Sequence, residues 1–267
     1  MQASRLFDTD ISPPHPLLIA LESRAFMELA AFQLLRPFLG LLQRGDGHAV
    51  LIIPGFVQDE LAVAPLRQAI RRMGYEARTW DQGRNLGFSK AALASLRAQV
   101  RALAESTQRK VSVVGWSLGG VFARELAFEI PDRIRLVITM GSPFGRNPHA
   151  SSVRWLYDLI NRHRPDEIDD EMVLRIRKPL PVPSTAIYSR SDGIVSWRTC
   201  IDDVIGDTNE NIEVFGSHSG MGFNAQVLWI IADRLAQPSG TWKPMSSARE
   251  ARDDPRALLG MGRTQCP

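Results

Sequence analysis

The sequence predicts an α/β domain built on a compact, mostly parallel sheet of about six strands, with helices on both of its faces. Short apolar runs rich in β-branched residues alternate with segments of helical periodicity, which is the pattern of βαβ units. The apolar content of 44% with 23% charged residues is ordinary for a globular protein. A chain of 267 residues is long enough to bury one large core.

Strands and helices alternate along most of the chain. The predicted strands are residues 48–56, 75–81, 110–117, 134–143, 183–193 and 211–218. The predicted helices that follow them are residues 61–75, 89–107, 118–132 and 224–236. The first strand, HAVLIIPGF, is an apolar run that ends at a Pro-Gly turn signal. Because a helix separates most consecutive strands, we expect these strands to run parallel and to be covered on both faces.

Three regions fall outside this alternation. Residues 1–47 form an N-terminal helical segment, and residues 238–267 form a polar tail that we expect to be extended. The α/β domain itself covers residues 48–237. Within it, residues 144–182 separate two strands by much more than a usual connection, which is typical of a lid or a binding loop. This lid-like insertion contains one predicted helix, over residues 151–163.

Residues 17–42 are predicted to form an amphipathic helix, because apolar residues recur there at helical spacing. The charged residues Glu22, Arg24, Glu28 and Arg36 interrupt the run, so no membrane-spanning helix is predicted. Because the polar face mixes both signs of charge, we expect the helix to pack on the domain. The alternative is a weak contact with a membrane surface. The segment lacks the features of a secretory signal, so the expected location is cytoplasmic.

Charge and cysteine content argue against several classes of function. The formal net charge of +3 is spread along the chain without a dense Lys/Arg block, so no nucleic-acid partner is expected. Cys200 and Cys266 form neither a disulfide framework nor a metal-binding spacing. We interpret them as free thiols, with a single bridge as the alternative. The acidic run at 166–171 lacks histidines and a calcium-loop pattern, so we interpret it as a solvated face and expect no metal or cofactor.

The stretch GWSLG, from Gly115 to Gly119, has the G-x-S-x-G pattern of a nucleophile elbow. It lies between a predicted strand and a predicted helix, which is the context that this motif requires. A side chain at either glycine would collide with neighbouring backbone in such a tight turn. The following helix would direct its N-terminal N–H groups at the site. The pattern therefore predicts that Ser117 is a nucleophile and that the helix N-terminus stabilises the oxyanion that develops when it attacks.

A nucleophilic serine needs a histidine base and a carboxylate that orients this base, in the chain order Ser, Asp or Glu, His. His218 directly follows a predicted strand, whereas His149 and His163 lie in the insertion. Asp192 ends a strand at a turn, so its carboxylate is expected at the same sheet edge as Ser117. Its rivals are Asp202, Asp203 and Asp207. The predicted catalytic residues are therefore Ser117, Asp192 and His218.

The sequence resembles the α/β-hydrolase superfamily, in particular bacterial lipase- and esterase-like serine hydrolases. The stretches IIPGF, GWSLGG, MGSPF, SDGIVSW and GSHSGM carry this resemblance, which covers residues 48–236. It implies the α/β-hydrolase fold and an oxyanion hole formed by the backbone N–H groups of Phe56 and Leu118. Many lipases have histidine before the nucleophile, where this chain has Trp116, so the resemblance leaves the substrate range open. No leading pair of strands is recognisable, which suggests a compact version of the fold.

The expected function is hydrolysis of carboxylic esters through an acyl-enzyme on Ser117, without a cofactor, on a small-molecule or lipid ester. Candidate substrate-binding residues are Trp116, Trp155, Leu156 and Leu159, although the last three could equally well only bury the insertion helix on the domain. An acyltransferase or a perhydrolase would use the same triad, and a non-catalytic interaction protein could share the fold. A haloalkane dehalogenase is disfavoured because its elbow would carry aspartate.

Overall fold

The structure, a computed structural model, describes residues 10–42, 45–145, 147, 150–162 and 170–245. Its centre is a six-stranded sheet in the order β2-β1-β3-β4-β5-β6. The strands are β1 Ala49–Ile53, β2 Glu76–Thr79, β3 Val111–Trp116, β4 Ile134–Met140, β5 Ser184–Tyr188 and β6 Asn209–Glu213. Every neighbouring pair is parallel. The predicted sheet is therefore confirmed.

The helices connect these strands much as the periodicity predicts. They are α1 Pro16–Ala20, α2 Ala25–Leu35, α3 Ala64–Arg72, α4 Lys90–Thr107, α5 Leu118–Glu129, α6 Arg154–Ile160, α7 Asp170–Ile176 and α8 Ala225–Ala236. Capping explains two of the starts, because the side chains of Ser89 and Asn224 accept hydrogen bonds from N–H groups in the first turns of α4 and α8. Helices α3 to α6 and α8 begin and end within three residues of the predicted ones, whereas the predicted strands 183–193 and 211–218 extend five residues beyond the ends of β5 and β6.

Two apolar clusters cover the two faces of the sheet. Successive residues of a strand point to opposite faces, so Val50 and Ile52 belong to one cluster and Leu51 and Ile53 to the other. The first cluster includes residues of α3 and α8, and the second includes residues of α4 and α5. Burying one such side chain contributes roughly 2 kcal/mol. The rigid sheet that results fixes the loops at its carboxyl edge.

The N-terminal segment is helical but not a single amphipathic helix, so that prediction is corrected. Residues Leu21–Arg24 and Arg36–Leu41 form 3₁₀ turns that interrupt and end the α-helices. The side chain of Phe32 is buried, whereas those of Phe26 and Met27 are 78% and 75% exposed. Apolar side chains therefore lie on both the domain side and the exposed side of the segment. The domain side also carries polar side chains, which bond to loops of the domain. No helix among the described residues has the length and apolar character needed to cross a membrane.

The insertion contains a second helix, α7, that the sequence reading missed. Ile176 of α7 is buried in the cluster that covers α4 and α5, and its carbonyl accepts a hydrogen bond of 2.6 Å from Arg124 of α5. Ser151, near the start of α6, forms an isolated antiparallel bridge with Val195. Both ends of the insertion are thus attached to the domain.

Several predictions concern residues outside the described ranges. They include His149, His163, most of the acidic run at 166–171 and the tail beyond residue 245. Cys200 is buried. Its pairing with Cys266 falls outside the part of the chain that the structure describes.

Candidate active site

Ser117 occupies a sharp turn between β3 and α5. Its backbone has φ +52° and ψ −122°, a conformation that an L-residue adopts only under strain. A Cβ on Gly115 would lie 2.5 Å from the Gly120 Cα, and a Cβ on Gly119 would lie 2.8 Å from the Pro54 carbonyl oxygen. The turn therefore requires glycine on both sides of the serine. The hydroxyl makes no capping bond to α5, so it is not committed to the helix.

The loop after β1 lies against Ser117. A Cβ on Gly55 would lie 3.0 Å from the Ser117 Cβ, which shows how closely the two backbones approach. Among the hydrogen bonds of the described residues, the N–H groups of Phe56 and Leu118 have no acceptor. Leu118 is the first residue of α5, where an N–H group has no partner within the helix. Phe56 and Leu118 are both half-buried residues, and their N–H groups are candidates for an oxyanion hole.

Asn85 and Gln58 hold this loop in place, and sequence reasoning missed both. The Asn85 side chain is fully buried and donates a hydrogen bond of 2.8 Å to the Pro54 carbonyl oxygen. Its backbone carbonyl accepts a bond of 2.7 Å from the Val57 N–H group. The Gln58 side chain accepts a bond of 2.8 Å from Gly55 N–H. Val57 has φ +56°, so this loop also stores backbone strain.

Asp192 and His218 form a buried hydrogen-bonded pair. Asp192 follows β5, His218 follows β6, and their Oδ2 and Nδ1 atoms are 2.6 Å apart. The other carboxylate oxygen, Oδ1, accepts bonds of 2.8 Å from the N–H groups of Ile194 and Val195. Only 2% of Asp192 and 6% of His218 is exposed. The carboxylate is therefore fixed in orientation and can hold the imidazole in one tautomer.

Contacts with Trp116 and Gly141 place His218 close to the turn that carries Ser117. The indole N–H of Trp116 donates a bond of 3.2 Å to the His218 carbonyl oxygen. A Cβ on Gly141 would lie 2.9 Å from His218 Nδ1, and the carbonyl of Met140 accepts a bond of 2.8 Å from Ser117 N–H. Within the described residues, no hydrogen bond joins the Ser117 hydroxyl to the His218 imidazole. Such bonds are often long without substrate and shorten when it binds.

Local charges set the protonation of His218. Burial alone lowers the pKa of this imidazole, but the charge and hydrogen bond of Asp192 and the charge of Glu22 together raise the pKa above its ordinary value. Glu22 belongs to the N-terminal segment. Burial raises the pKa of this carboxyl, but hydrogen bonds from Ser219, Gly193 and His218 N–H groups outweigh burial and lower the pKa. A carboxylate from outside the predicted triad therefore acts on its histidine.

The other candidate acids lie in different surroundings. Asp202 is buried and forms an ion pair of 2.7 Å with Arg124. Asp203 and Asp207 are exposed. Of the four aspartates considered, Asp192 alone bonds to His218 in the described part of the chain.

The candidate substrate-binding residues differ in how far they are exposed. Trp116 is 2% exposed, and its ring packs against Gly222. Trp155 and Leu159 on α6 are 66% and 55% exposed, whereas Leu156 is half-buried. The neighbouring Tyr157 contacts Phe56, with the ring centroids 5.1 Å apart. Helix α6 therefore lies beside the loop after β1.

A second Ser–His–Asp arrangement lies at the opposite, amino edge of the sheet. His48 contacts Asp46 Oδ1 through Nδ1 at 2.5 Å and Ser112 Oγ through Nε2 at 2.7 Å. His48 and Ser112 are both fully buried, and Arg135 also bonds to Asp46. Because both side chains are fully buried, a substrate cannot reach this serine, and the arrangement is not a second candidate site. Its hydrogen bonds instead join the starts of β1, β3 and β4.

Comparisons with known sequences give a match over a short part of the chain. No family model matches the chain. A stretch of 60 residues is 37% identical to a pimeloyl-[acyl-carrier protein] methyl ester esterase of Salmonella newport (strain SL254), and this match spans 22% of each protein. The chain thus covers less than a quarter of that relative's length.

Solved structures of lipolytic enzymes share the fold. A structure from the work on LipS and LipT, two metagenome-derived lipolytic enzymes, aligns with a TM-score of 0.54 at 18% identity, over 72% of this chain and 93% of that chain. Lipase B of Aspergillus fumigatus gives a TM-score of 0.54 at 16% identity, over 72% and 53%. Lipase BlEst2 of Bacillus licheniformis gives 0.52 at 15% identity, over 73% and 96%. The chain therefore has the α/β-hydrolase fold, as its sequence predicted.

Proposed function

We propose that this protein is a serine hydrolase that cleaves carboxylic esters through an acyl-enzyme on Ser117. One observation carries the proposal: the strained turn that presents Ser117 lies at the same sheet edge as the buried Asp192–His218 pair. A serine at a forced positive φ is destabilising in itself and persists where the surroundings demand it. The combination of this serine with an oriented imidazole favours nucleophilic catalysis over a role in binding alone.

The first half of the reaction forms the acyl-enzyme. The Ser117 hydroxyl oxygen attacks the ester carbonyl carbon, and its proton passes to Nε2 of His218. Asp192 holds the neutral tautomer and stabilises the imidazolium that forms. The N–H groups of Phe56 and Leu118 bind the negative oxygen of the tetrahedral intermediate, and one such donor contributes on the order of 3 kcal/mol. The imidazolium then returns the proton to the departing alkoxide, which leaves as the alcohol.

The second half releases the acid. Water attacks the acyl carbon while His218 accepts one of its protons, and the Ser117 oxygen leaves as the hydroxyl when His218 returns that proton. No metal or cofactor takes part in the proposed steps. An alcohol in place of water would make the same centre an acyltransferase, which product analysis with a competing acceptor alcohol distinguishes.

The substrate class rests on two supports. The relative with the short sequence match is named as a methyl ester esterase, and the structural neighbours are named as lipases. In this chain, α6 brings exposed apolar side chains to the loop that carries Phe56. We therefore propose small-molecule or lipid esters as substrates, with the acyl chain beside α6.

The test is hydrolysis of p-nitrophenyl esters from acetate to palmitate by three proteins: the wild type, Ser117→Ala and Ser112→Ala. Ester hydrolysis that Ser117→Ala abolishes and Ser112→Ala retains would support the proposal, since Ser112 is the buried serine at the opposite edge. Retained hydrolysis in folded Ser117→Ala, or none in the wild type, would refute it.

A further inference from the structure

A carboxylate of the N-terminal segment joins the two loops that carry Asp192 and His218. Glu22 Oε1 accepts hydrogen bonds of 2.9 Å from Gly193 N–H, in the Asp192 loop, and from His218 N–H. Its Oε2 accepts a bond of 2.9 Å from Ser219 N–H. The Glu22 side chain therefore joins the loop of Asp192 to the loop of His218. Its hydrogen-bond donors are His218 itself and the residues that directly follow Asp192 and His218.

Arg24 adds a second bridge between the same loops. One guanidinium nitrogen donates a bond of 2.5 Å to the Ser191 carbonyl oxygen and one of 2.8 Å to the Gly216 carbonyl oxygen. It also bonds to the Ser191 hydroxyl at 2.9 Å. Ser191 precedes Asp192, and Gly216 lies two residues before His218. Glu22 therefore binds N–H groups of both loops, and Arg24 binds carbonyl groups of both loops.

Glu28, on α2, holds only the His218 loop. Its Oε1 accepts a bond of 2.8 Å from Ser217 N–H, and its Oε2 accepts one of 3.0 Å from the Ser217 hydroxyl. It also forms an ion pair with Arg24 at 3.7 Å. Glu28 thus provides a comparison with Glu22, because it fixes the same loop without contacting His218 itself.

The fit leaves no room for side chains at the contact. A Cβ on Gly193 would lie 2.5 Å from the Leu18 carbonyl carbon, and a Cβ on Gly220 would lie 2.7 Å from the Glu28 carboxylate carbon. Both glycines belong to the loops that hold the candidate acid and base. The two loops and the N-terminal segment therefore match each other in shape as well as in hydrogen bonding.

We propose that residues 10–42 act as an intramolecular clamp that positions the acid and base loops, with Glu22 as its central positioning residue. The inference rests on the proposed function, since it assigns a role in the same reaction. Glu22 keeps the imidazole of His218 and the carboxylate of Asp192 in register by holding the backbone of both loops. Its negative charge also stabilises the imidazolium that forms when His218 accepts the proton.

The charged and titratable groups that face the Asp192–His218 pair and its loops come from two regions. Cys200, whose pKa the charge of Asp192 raises, lies in the connection between β5 and β6, and Glu22, Arg24 and Glu28 lie in the N-terminal segment. Of these, Asp192 and Glu22 raise the pKa of His218, against the effect of burial. Loss of the Glu22 charge therefore lowers the pKa of the base, so the base stays neutral to a lower pH.

The experiment compares pH profiles of p-nitrophenyl ester hydrolysis for Glu22→Gln, Glu28→Gln and the exposed control Glu105→Gln. Glu22→Gln should lower kcat about tenfold with little change in KM, and should move the acidic midpoint of kcat/KM to a lower pH. Glu28→Gln loosens the same loop and should lower kcat without moving the midpoint. Glu105→Gln should match the wild type.

Glu22→Asp separates charge from reach and serves if Glu22→Gln does not fold. It keeps the negative charge but is one methylene shorter, so kcat should fall while the midpoint stays near the wild-type value. An unchanged kcat in either Glu22 variant, or the same midpoint shift in Glu28→Gln, would overturn the clamp. The comparison requires a wild type that hydrolyses the ester and a Ser117→Ala variant that does not. If that condition fails, the proposed function fails, and the clamp is a separate question.

Discussion

Replacing Asp192 by Asn tests how the acid acts on the base. The Oδ1 atom of Asp192 accepts two backbone N–H bonds, and Oδ2 faces His218 Nδ1. In Asp192→Asn the side-chain oxygen keeps its place against the two N–H groups, which puts the NH₂ group toward Nδ1. Nδ1 must then accept a hydrogen bond, so the proton of the neutral imidazole moves to Nε2, the nitrogen that should receive the proton of Ser117.

The wrong tautomer should lower kcat strongly and change the free energy of unfolding little. A comparable change in a serine protease lowers kcat by about 10⁴-fold, so we expect a loss of about 10³- to 10⁴-fold, or about 4–5 kcal/mol of transition-state stabilisation. Because both backbone bonds survive, the free energy of unfolding should change by only about 1 kcal/mol.

The assay pairs kcat on a p-nitrophenyl ester with urea unfolding monitored by fluorescence. Asp207→Asn is the matched control, since Asp207 is exposed, and it should keep wild-type activity and stability. Asp192→Asn with activity within tenfold of the wild type would refute the tautomer account. A large loss of stability would show instead that the carboxylate mainly supports the loop.

Three further predictions follow from the site. Because His218 must be neutral to accept the proton, kcat/KM should rise with pH, with a midpoint above 6.5. Burial lowers the pKa of this imidazole, but Asp192 and Glu22 raise the pKa by more than burial lowers it. A midpoint at or below 6.5 would contradict this balance. Asn85→Ala removes the bond to the Pro54 carbonyl, so kcat should fall about 10- to 100-fold with a smaller change in KM, and an unchanged kcat would exclude this loop from oxyanion binding. Gly119→Ala should lower the free energy of unfolding by about 1–3 kcal/mol, because its Cβ would collide with backbone. Gly206→Ala should be near neutral, since its Cβ would meet only Asn209 Oδ1, at 3.6 Å. Equal midpoints of urea unfolding for the two variants would contradict this difference in packing.

The strands and the elbow could be predicted because their signals are local. Five apolar residues in a row fill β1, and the glycines around Ser117 follow from the close approach of α5 to the loop after β1. Asp192 and His218 could be singled out by chain order, because parallel strands gather the ends of β3, β5 and β6 at one edge.

The contacts of the N-terminal segment with the Asp192 and His218 loops could not be predicted, because the bonded residues are distant in sequence. The bonds of Glu22 and Arg24 reach residues 167 to 197 positions away, so a local pattern shows only charges that interrupt an apolar run. The conformation of Val57 is equally hidden, since a β-branched residue is a poor candidate for positive φ. Asn85 bears no motif, and only its burial beside Pro54 identifies it.

Labelling with a fluorophosphonate would locate the nucleophile directly. The serine oxygen forms a bond to phosphorus and fluoride leaves, and peptide mass spectrometry then identifies the modified residue. If Ser117 is the nucleophile, one adduct forms, on Ser117; it is absent from Ser117→Ala and forms more slowly in Asp192→Asn. No adduct on the folded wild type, or an adduct on another serine such as Ser112, would contradict this assignment.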